Sequence, residues 1–266
     1  MTPGRLRIFS YLPNPRVAKA TIAGRLCDVA VELRGSPPAE LKSWLWDFNA
    51  RPLTWDDPQG GAQASQRGFG GGTLHKTEAF LKANPFGTVP TAFSPDGAIC
   101  VFESNSIMRL VARLGVGRRS LLGSGPFEAS RVDSFLDEGL TFAHDVQRYL
   151  LSLRTGQLDV HTHEYARRAA ASHLGGIERA LSPQSAGIVG PELTLADISF
   201  ACDICQLTHE RRSMEVLAAA GLPPVLGRDE WLNFPRALGH FERLLGLPEF
   251  AQDLSVYAEI CQALRP

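Results

Sequence analysis

The stretch His75-Lys76-Thr77-Glu78-Ala79-Phe80-Leu81-Lys82-Ala83-Asn84-Pro85-Phe86-Gly87-Thr88-Val89-Pro90 is followed by Cys100-Val101-Phe102-Glu103-Ser104-Asn105-Ser106-Ile107. It reads as a helix, a turn, an extended run ending in Val-Pro, a short apolar strand, and then Glu-Ser opening another helix. An X-Pro bond takes the cis form at a cost of only about 0.5–1 kcal/mol. A cis bond at Val89-Pro90 turns the Val89 main chain outward, where its N–H and C=O can pair with an extended peptide. Glu103 and Ser104 stand where the strand stops and a new apolar period (Ile107, Leu110, Val111, Leu114) begins. They therefore occupy a helix N-terminus, whose unpaired N–H groups attract a carboxylate. Glu103 is matched to an ammonium, Ser104 to a carboxylate, and His75 and Lys76 to a second carboxylate at the far end. The pocket suits a small peptide with an amino-acid-like head, a central amide and an acidic tail.

Outward from this stretch, Leu6 to Tyr11 reads as a buried strand, and Pro15 stands in the first turn of a helix carrying Val17, Ile22 and Leu26. Val29, Val31 and Leu33 alternate as a second strand. With a helix from Glu78 to Lys82, strands at Val89 to Phe93 and Ile99 to Phe102, and the helix after Glu103, the order is β-α-β-α-β-β-α, which is thioredoxin-like. Gly115 through Pro126 is a linker by its turn chemistry. Beyond it, Val132, Phe135, Leu136, Ala143, Val146 and Leu150 follow the helical period, and the rest reads as a helical bundle. The expected organisation is an α/β domain over residues 1–115, interrupted by an insertion at about 36–72, and an all-α domain over 127–266. Thr194-Leu195-Ala196-Asp197 is a capping-box signal with a role in folding.

Asn84-Pro85-Phe86-Gly87-Thr88-Val89-Pro90 with Phe102-Glu103-Ser104-Asn105-Ser106-Ile107 resembles the glutathione-binding half of the glutathione S-transferase superfamily. His75-Lys76 ahead of it looks like the phi-class version. The start, from Ile8 through Ala23, is more similar to the transferase-like domain of the elongation factor 1 gamma subunit, and Gly190 through Asp197 resembles the superfamily's helix-capping motif. The resemblance covers most of the chain outside residues 36–72. It implies a thioredoxin-like domain followed by a helical bundle, a homodimer, and glutathione as co-substrate. The tripeptide would be held by His75, Lys76, Thr88, Val89, Pro90, Glu103 and Ser104.

If glutathione is the ligand, the chemical task is to supply its thiolate, because a free thiol with a pKa near 8.5 is only a few per cent ionised at pH 7. One hydrogen bond to the charged sulfur, contributing about 1.5–3 kcal/mol, lowers that pKa by roughly one to two units. The superfamily places the donor just after the first strand, where this chain offers Asn14, Ser10 and Tyr11. Asn14 is the first choice, and it reads equally as a plain helix cap. No Cys lies there, which argues against the thiol-exchange branch. Two functions follow from the resemblance: an enzyme that joins glutathione to a hydrophobic electrophile, or cleaves one with it (an aromatic ether, for example), and a non-catalytic binding or assembly module.

The composition sets further bounds. The chain has 266 residues, 44% of them apolar, and a net charge of −1, with no Lys/Arg block beyond short pairs, so nothing suggests a nucleic-acid footprint. No apolar run approaches the ~20 residues that span a bilayer, and the start reads as leading into a strand, so the expected location is cytoplasmic. The five cysteines form no disulfide framework. Cys202 and Cys205 fall inside the helix opened by Thr194 and read as core residues. His161 and His163 lack a second ligand pair for zinc and read as surface residues; no metal site is expected. Three of the four tryptophans, Trp44, Trp46 and Trp55, crowd into the insertion ahead of a glycine-rich return from Gly68 to Gly72. Such a cluster either lids an apolar substrate pocket or packs against the helical domain or a second subunit.

Overall fold

The computed structural model describes residues 6–57, 62–64, 73–115, 120–181 and 186–262. The chain forms two compact units, Met1–Arg118 and Arg119–Pro266.

In the first unit, β1 (Leu6–Phe9) pairs in parallel with β2 (Val31–Arg34) and antiparallel with β7 (Thr91–Phe93), and β7 carries β8 (Cys100–Phe102) on its far edge. The sheet order β2-β1-β7-β8 is the thioredoxin-like arrangement expected from the sequence. Ile8 and Phe9 are adjacent and each only 1% exposed, so β1 is covered on both faces. The helices α1 (Pro15–Cys27) and α3 (Ser104–Leu114) pack against each other. Helix α1 starts at a Pro in its first turn behind an Asn14 cap and ends at Asp28, which adopts the left-handed conformation (φ 59°). Gly24 is required on α1: a Cβ there would lie 2.8 Å from the Val29 carbonyl oxygen.

The insertion is itself a structured element. Four strands, β3 (Trp44–Trp46), β4 (Arg51–Pro52), β5 (Ala62–Ala64) and β6 (Thr73–Lys76), make a second sheet in the order β4-β3-β6-β5. Helix α2 (Glu78–Ala83) follows directly, capped by Thr77, whose hydroxyl accepts from the Phe80 amide. One apolar cluster joins both sheets and α2: Phe9 and Phe93 from the first sheet, Trp46 and Leu74 from the second, and Phe80 from α2. Trp46 stands edge-on to Phe9 and Phe80, and its indole N–H donates to the Leu41 carbonyl at 3.0 Å. Trp46 is therefore core, while Trp55 is 91% exposed on a turn closed by Asp57, which accepts from Arg51 and from the Thr54 amide. A lid built from all three tryptophans is excluded by this split. The glycine-rich return at 68–72 lies outside the described residues.

In the second unit, α4 (Pro126–Thr155), α5 (Val160–Ala180), α6 (Leu195–Leu207), α7 (Met214–Ala219), α8 (Arg228–Asn233), α9 (Pro235–Leu245) and α10 (Pro248–Gln262) form the helical part. Every residue of α6 is buried, so this helix is the unit's centre, and Cys202 and Cys205 sit in it fully covered. Its capping box is formed as the sequence suggests. A second buried carboxylate, Glu210, accepts from the Val225 and Leu226 amides and from the Tyr149 hydroxyl, each at 2.8 Å. Burial pushes the Glu210 carboxyl up, and burial beside Glu210 pushes the Tyr149 phenol far up as well. His161 is exposed as expected, but His163 is not a surface residue. It is 3% exposed, with Nε2 2.7 Å from the Pro223 carbonyl oxygen. Asp159 caps α5, its carboxylate accepting from the Thr162 amide at 2.7 Å. Among the described residues no helix is long and apolar enough to cross a membrane, and no group of His, Cys, Asp or Glu could hold a metal ion.

Candidate functional site

Strand register brings three of the candidate residues, Ser10, Pro90 and Glu103, to one end of the first unit's main sheet. Phe9 pairs with Thr91, and Thr91 with Phe102. The next residue on each strand is then Ser10 on β1, Pro90 ahead of β7, and Glu103 after β8. Helix α3 departs from this end at Ser104, and α1 begins nearby at Pro15 after the short Tyr11-to-Asn14 loop.

The start of α3 has two properties that matter for binding. Glu103 is held at φ 68°, ψ 127°, a region that costs a non-glycine residue about 1–3 kcal/mol and is found at sites where geometry is imposed for a purpose. Its side chain is exposed and does not cap the helix, so the first-turn amides are not answered by the usual capping residue. Ser104 follows, 7% exposed, at the first helical position. Across from it the Val89–Pro90 bond is cis. Among the described residues the Val89 amide and carbonyl have no hydrogen-bond partner, while the Thr88 carbonyl is tied down by Asn84 Nδ2 at 2.8 Å. An edge of free main chain thus faces a helix N-terminus.

His75 and Lys76 lie on β6, next to each other, so their side chains leave opposite faces of that strand. Lys76 is brought to the Asn84–Pro90 turn. Its Nζ lies over the Trp46 ring, 5.2 Å from the centroid, and would be 3.1 Å from a Cβ placed on Gly87. Gly87 has φ 57° and this close neighbour, so a side chain there would be both strained and in the way. Burial pulls the Lys76 amine pKa below its usual value.

The three candidate thiol donors are placed very differently. Asn14 is 6% exposed and both ends of its amide are engaged: Oδ1 accepts from the Arg16 amide at 3.0 Å and Nδ2 donates to Ser10 Oγ at 3.2 Å. It is a helix cap. Ser10 is 1% exposed beneath it, and Tyr11 is half-buried against the Phe9–Trp46 cluster.

Sequence reading missed one pair at this end of the fold. Lys19, on the second turn of α1, is 1% exposed and its Nζ donates to Asn105 Oδ1 at 2.9 Å. A lysine inside the apolar run Val17, Ala18, Ala20, Ile22 and Ala23 was the available signal. The pairing partner was not, because it depends on how α1 meets α3.

No protein-family profile matches the chain. Among solved structures, a glutathione transferase family member from Pseudomonas fluorescens, determined with two glutathione bound, is similar over 96% of this chain and 94% of that one, with TM-score 0.64 and 16% identity. The chain has the glutathione S-transferase fold. In sequence it is 35% identical over 140 residues to elongation factor 1-gamma 3 of Oryza sativa, which covers 52% of this chain and 33% of that protein. It is 27% identical over 201 residues to the glutathione S-transferase-like protein FUS3 of Gibberella moniliformis, covering 73% of each. The chain thus spans about a third of the elongation factor it matches. The relatives and the fold together support assignment to the glutathione S-transferase superfamily, with an elongation-factor-1-gamma-like N-terminus.

Proposed function

We propose that this chain binds glutathione in its first unit and presents the thiol to a hydrophobic electrophile, as a glutathione transferase. The observation that carries the reading is the strained Glu103 ahead of Ser104 at the start of α3, opposite the open Val89 main chain. In this reading Glu103 and Ser104 take the γ-glutamyl end, and Val89, between Thr88 and Pro90, pairs with the cysteinyl main chain. Lys76, rather than His75, meets the glycyl carboxylate. Of the candidate donors to sulfur, Tyr11 and Ser10 remain alongside Asn14, whose amide would have to exchange its bond to Ser10. The reading includes a cytoplasmic homodimer, which rests on the resemblance and on the prevalence of two-fold dimers.

A second reading, a non-catalytic module of the same fold, is favoured by the engaged Asn14 amide and by the likeness to elongation factor 1-gamma. Both readings share the binding site, and one substitution tests it. Ser104→Ala is expected to weaken glutathione binding by about 1–3 kcal/mol, because it removes a hydrogen bond to a charged group. Isothermal calorimetry on the wild type and the variant gives the answer, and an unchanged affinity would remove Ser104 from the site.

A further inference from the structure

We infer that the face of α4 around Phe135 is the two-fold contact between copies of this chain, with two α4 helices packed antiparallel so that Arg131 of each meets Glu138 of the other. The inference rests on the homodimer in the reading above and names its surface. Helices α4 and α5 pack against each other and leave a groove of about 350 Å3, lined by Arg131, Phe135 and Glu138 on α4 and by Gly176 and Arg179 on α5. Arg131 and Glu138 are two helical turns apart, so they share one face and stand about 10 Å from each other along it. Phe135 lies between them, half-buried, under the Arg131 guanidinium, whose carbon is 5.0 Å from the ring centroid. Among the described residues Glu138 has no ion-pair partner. Phe127, one turn before Arg131 on the same face, is 92% exposed.

The pattern on this face is complementary to itself. A two-fold contact sets one patch against its own inverted copy, so every contact from one residue to another is matched by the reverse contact. Antiparallel pairing about a point between Ser134 and Phe135 places each Arg131 opposite a Glu138, brings the Phe135 rings next to the axis and covers Phe127 at both ends. On the α5 wall a Cβ added to Gly176 would meet nothing within 4 Å, so the groove has room for a side chain of the second copy. Arg179, on the same wall, adds a second cation for the incoming carboxylate. A small anion would use the arginines and be opposed by Glu138, whereas the inverted copy uses both charges.

The experiment compares the full chain with Arg131→Glu and Glu138→Arg, each alone and the two mixed one to one, by sedimentation equilibrium beside circular dichroism. Each variant alone sets like charges against each other at both ends of the contact, and its dimer dissociation constant is expected to rise about tenfold or more. In the mixture the new acid of one variant faces the new base of the other, and the native Arg131 and Glu138 still meet. A heterodimer within about threefold of the wild-type dissociation constant is therefore expected. Both positions are exposed, and recovery on mixing also shows that both chains are folded. Should either variant lose its helical signal, Ser134→Arg, which sets two cations against each other at the axis, is read in its place. Variants as dimeric as the wild type would overturn this surface while leaving the homodimer in place. Dissociation of folded variants without recovery on mixing would overturn the antiparallel pairing. A wild type that is monomeric at micromolar concentration would overturn the surface and the homodimer together. Calorimetry with glutathione on the same wild-type sample separates a failure of the ligand reading from a failure of the surface.

Discussion

Trp46→Ala is expected to lower stability by about 3–5 kcal/mol, the range for deleting a large aromatic from a packed core. Trp46 is 1% exposed in the second sheet of the first unit and touches Phe9 of the first sheet, Phe80 of α2 and the Leu41 carbonyl, and Lys76 lies over its ring. Truncation leaves a cavity where these elements meet and an orphaned carbonyl beneath it. Because β3 also pairs in parallel with β6, the damage extends to the strand that carries Lys76. Trp46→Phe keeps most of the volume and isolates the loss of the indole N–H, expected at about 1–3 kcal/mol. Urea unfolding followed by tryptophan fluorescence and circular dichroism measures both. A loss below about 1 kcal/mol in Trp46→Ala would mean that the insertion folds as a detachable flap, contrary to its place in the shared core.

Asp197→Ala is expected to have an effect of similar size in the second unit. Its carboxylate is fully buried and accepts from the Ile188 amide at 2.9 Å, the Thr194 amide at 2.8 Å, the Thr194 hydroxyl at 3.1 Å and His240 Nε2 at 2.7 Å. Arg243 donates into His240 Nδ1, so the ring proton sits on Nε2 and points at Asp197. Removing the acceptor orphans several buried donors at once. Each such loss costs about 1–3 kcal/mol, and the sum, after relaxation, is expected near 3–5 kcal/mol. Asp197→Asn retains shape and part of the acceptor capacity, so it should fall between the wild type and Asp197→Ala in equilibrium unfolding. An alanine variant within 1 kcal/mol of the wild type would contradict the network.

These two residues also mark what sequence alone could and could not reveal. Asp197 was legible because the capping box is local: Thr194 and Asp197 are three residues apart and signal a helix start wherever they stand. The strands β1 and β2 and the helices α1 and α3 were legible for similar reasons, through short-range alternation, a Pro in the first turn and an apolar helical period. The sheet β3–β6 was not. Its strands run two to four residues, Trp44-Leu45-Trp46 is too short to display a period, and its central pairing joins Leu45 to His75 across the whole insertion. The expectation that His75 and Lys76 both face one ligand followed from missing the strand β6.

The candidate site divides along the same line. Glu103 and Ser104 could be placed because a strand end and a helix start meet in consecutive residues. The thiol donor could not, since its availability depends on side-chain bonds such as Asn14 to Ser10 that no spacing announces. His163 was misread for the same reason, its burial being set by the distant Pro223 carbonyl.

The most direct test of the central claim, that the first unit binds glutathione and activates its thiol, is a pH titration of the thiolate absorbance of bound glutathione on the wild-type protein. The account expects saturable binding and a bound thiol that ionises roughly one to two pH units below the free value of about 8.5, as a single hydrogen bond to the sulfur would produce. Saturable binding with a thiol that titrates like free glutathione would contradict the transferase reading and leave a non-catalytic module. No binding at all would contradict the site itself.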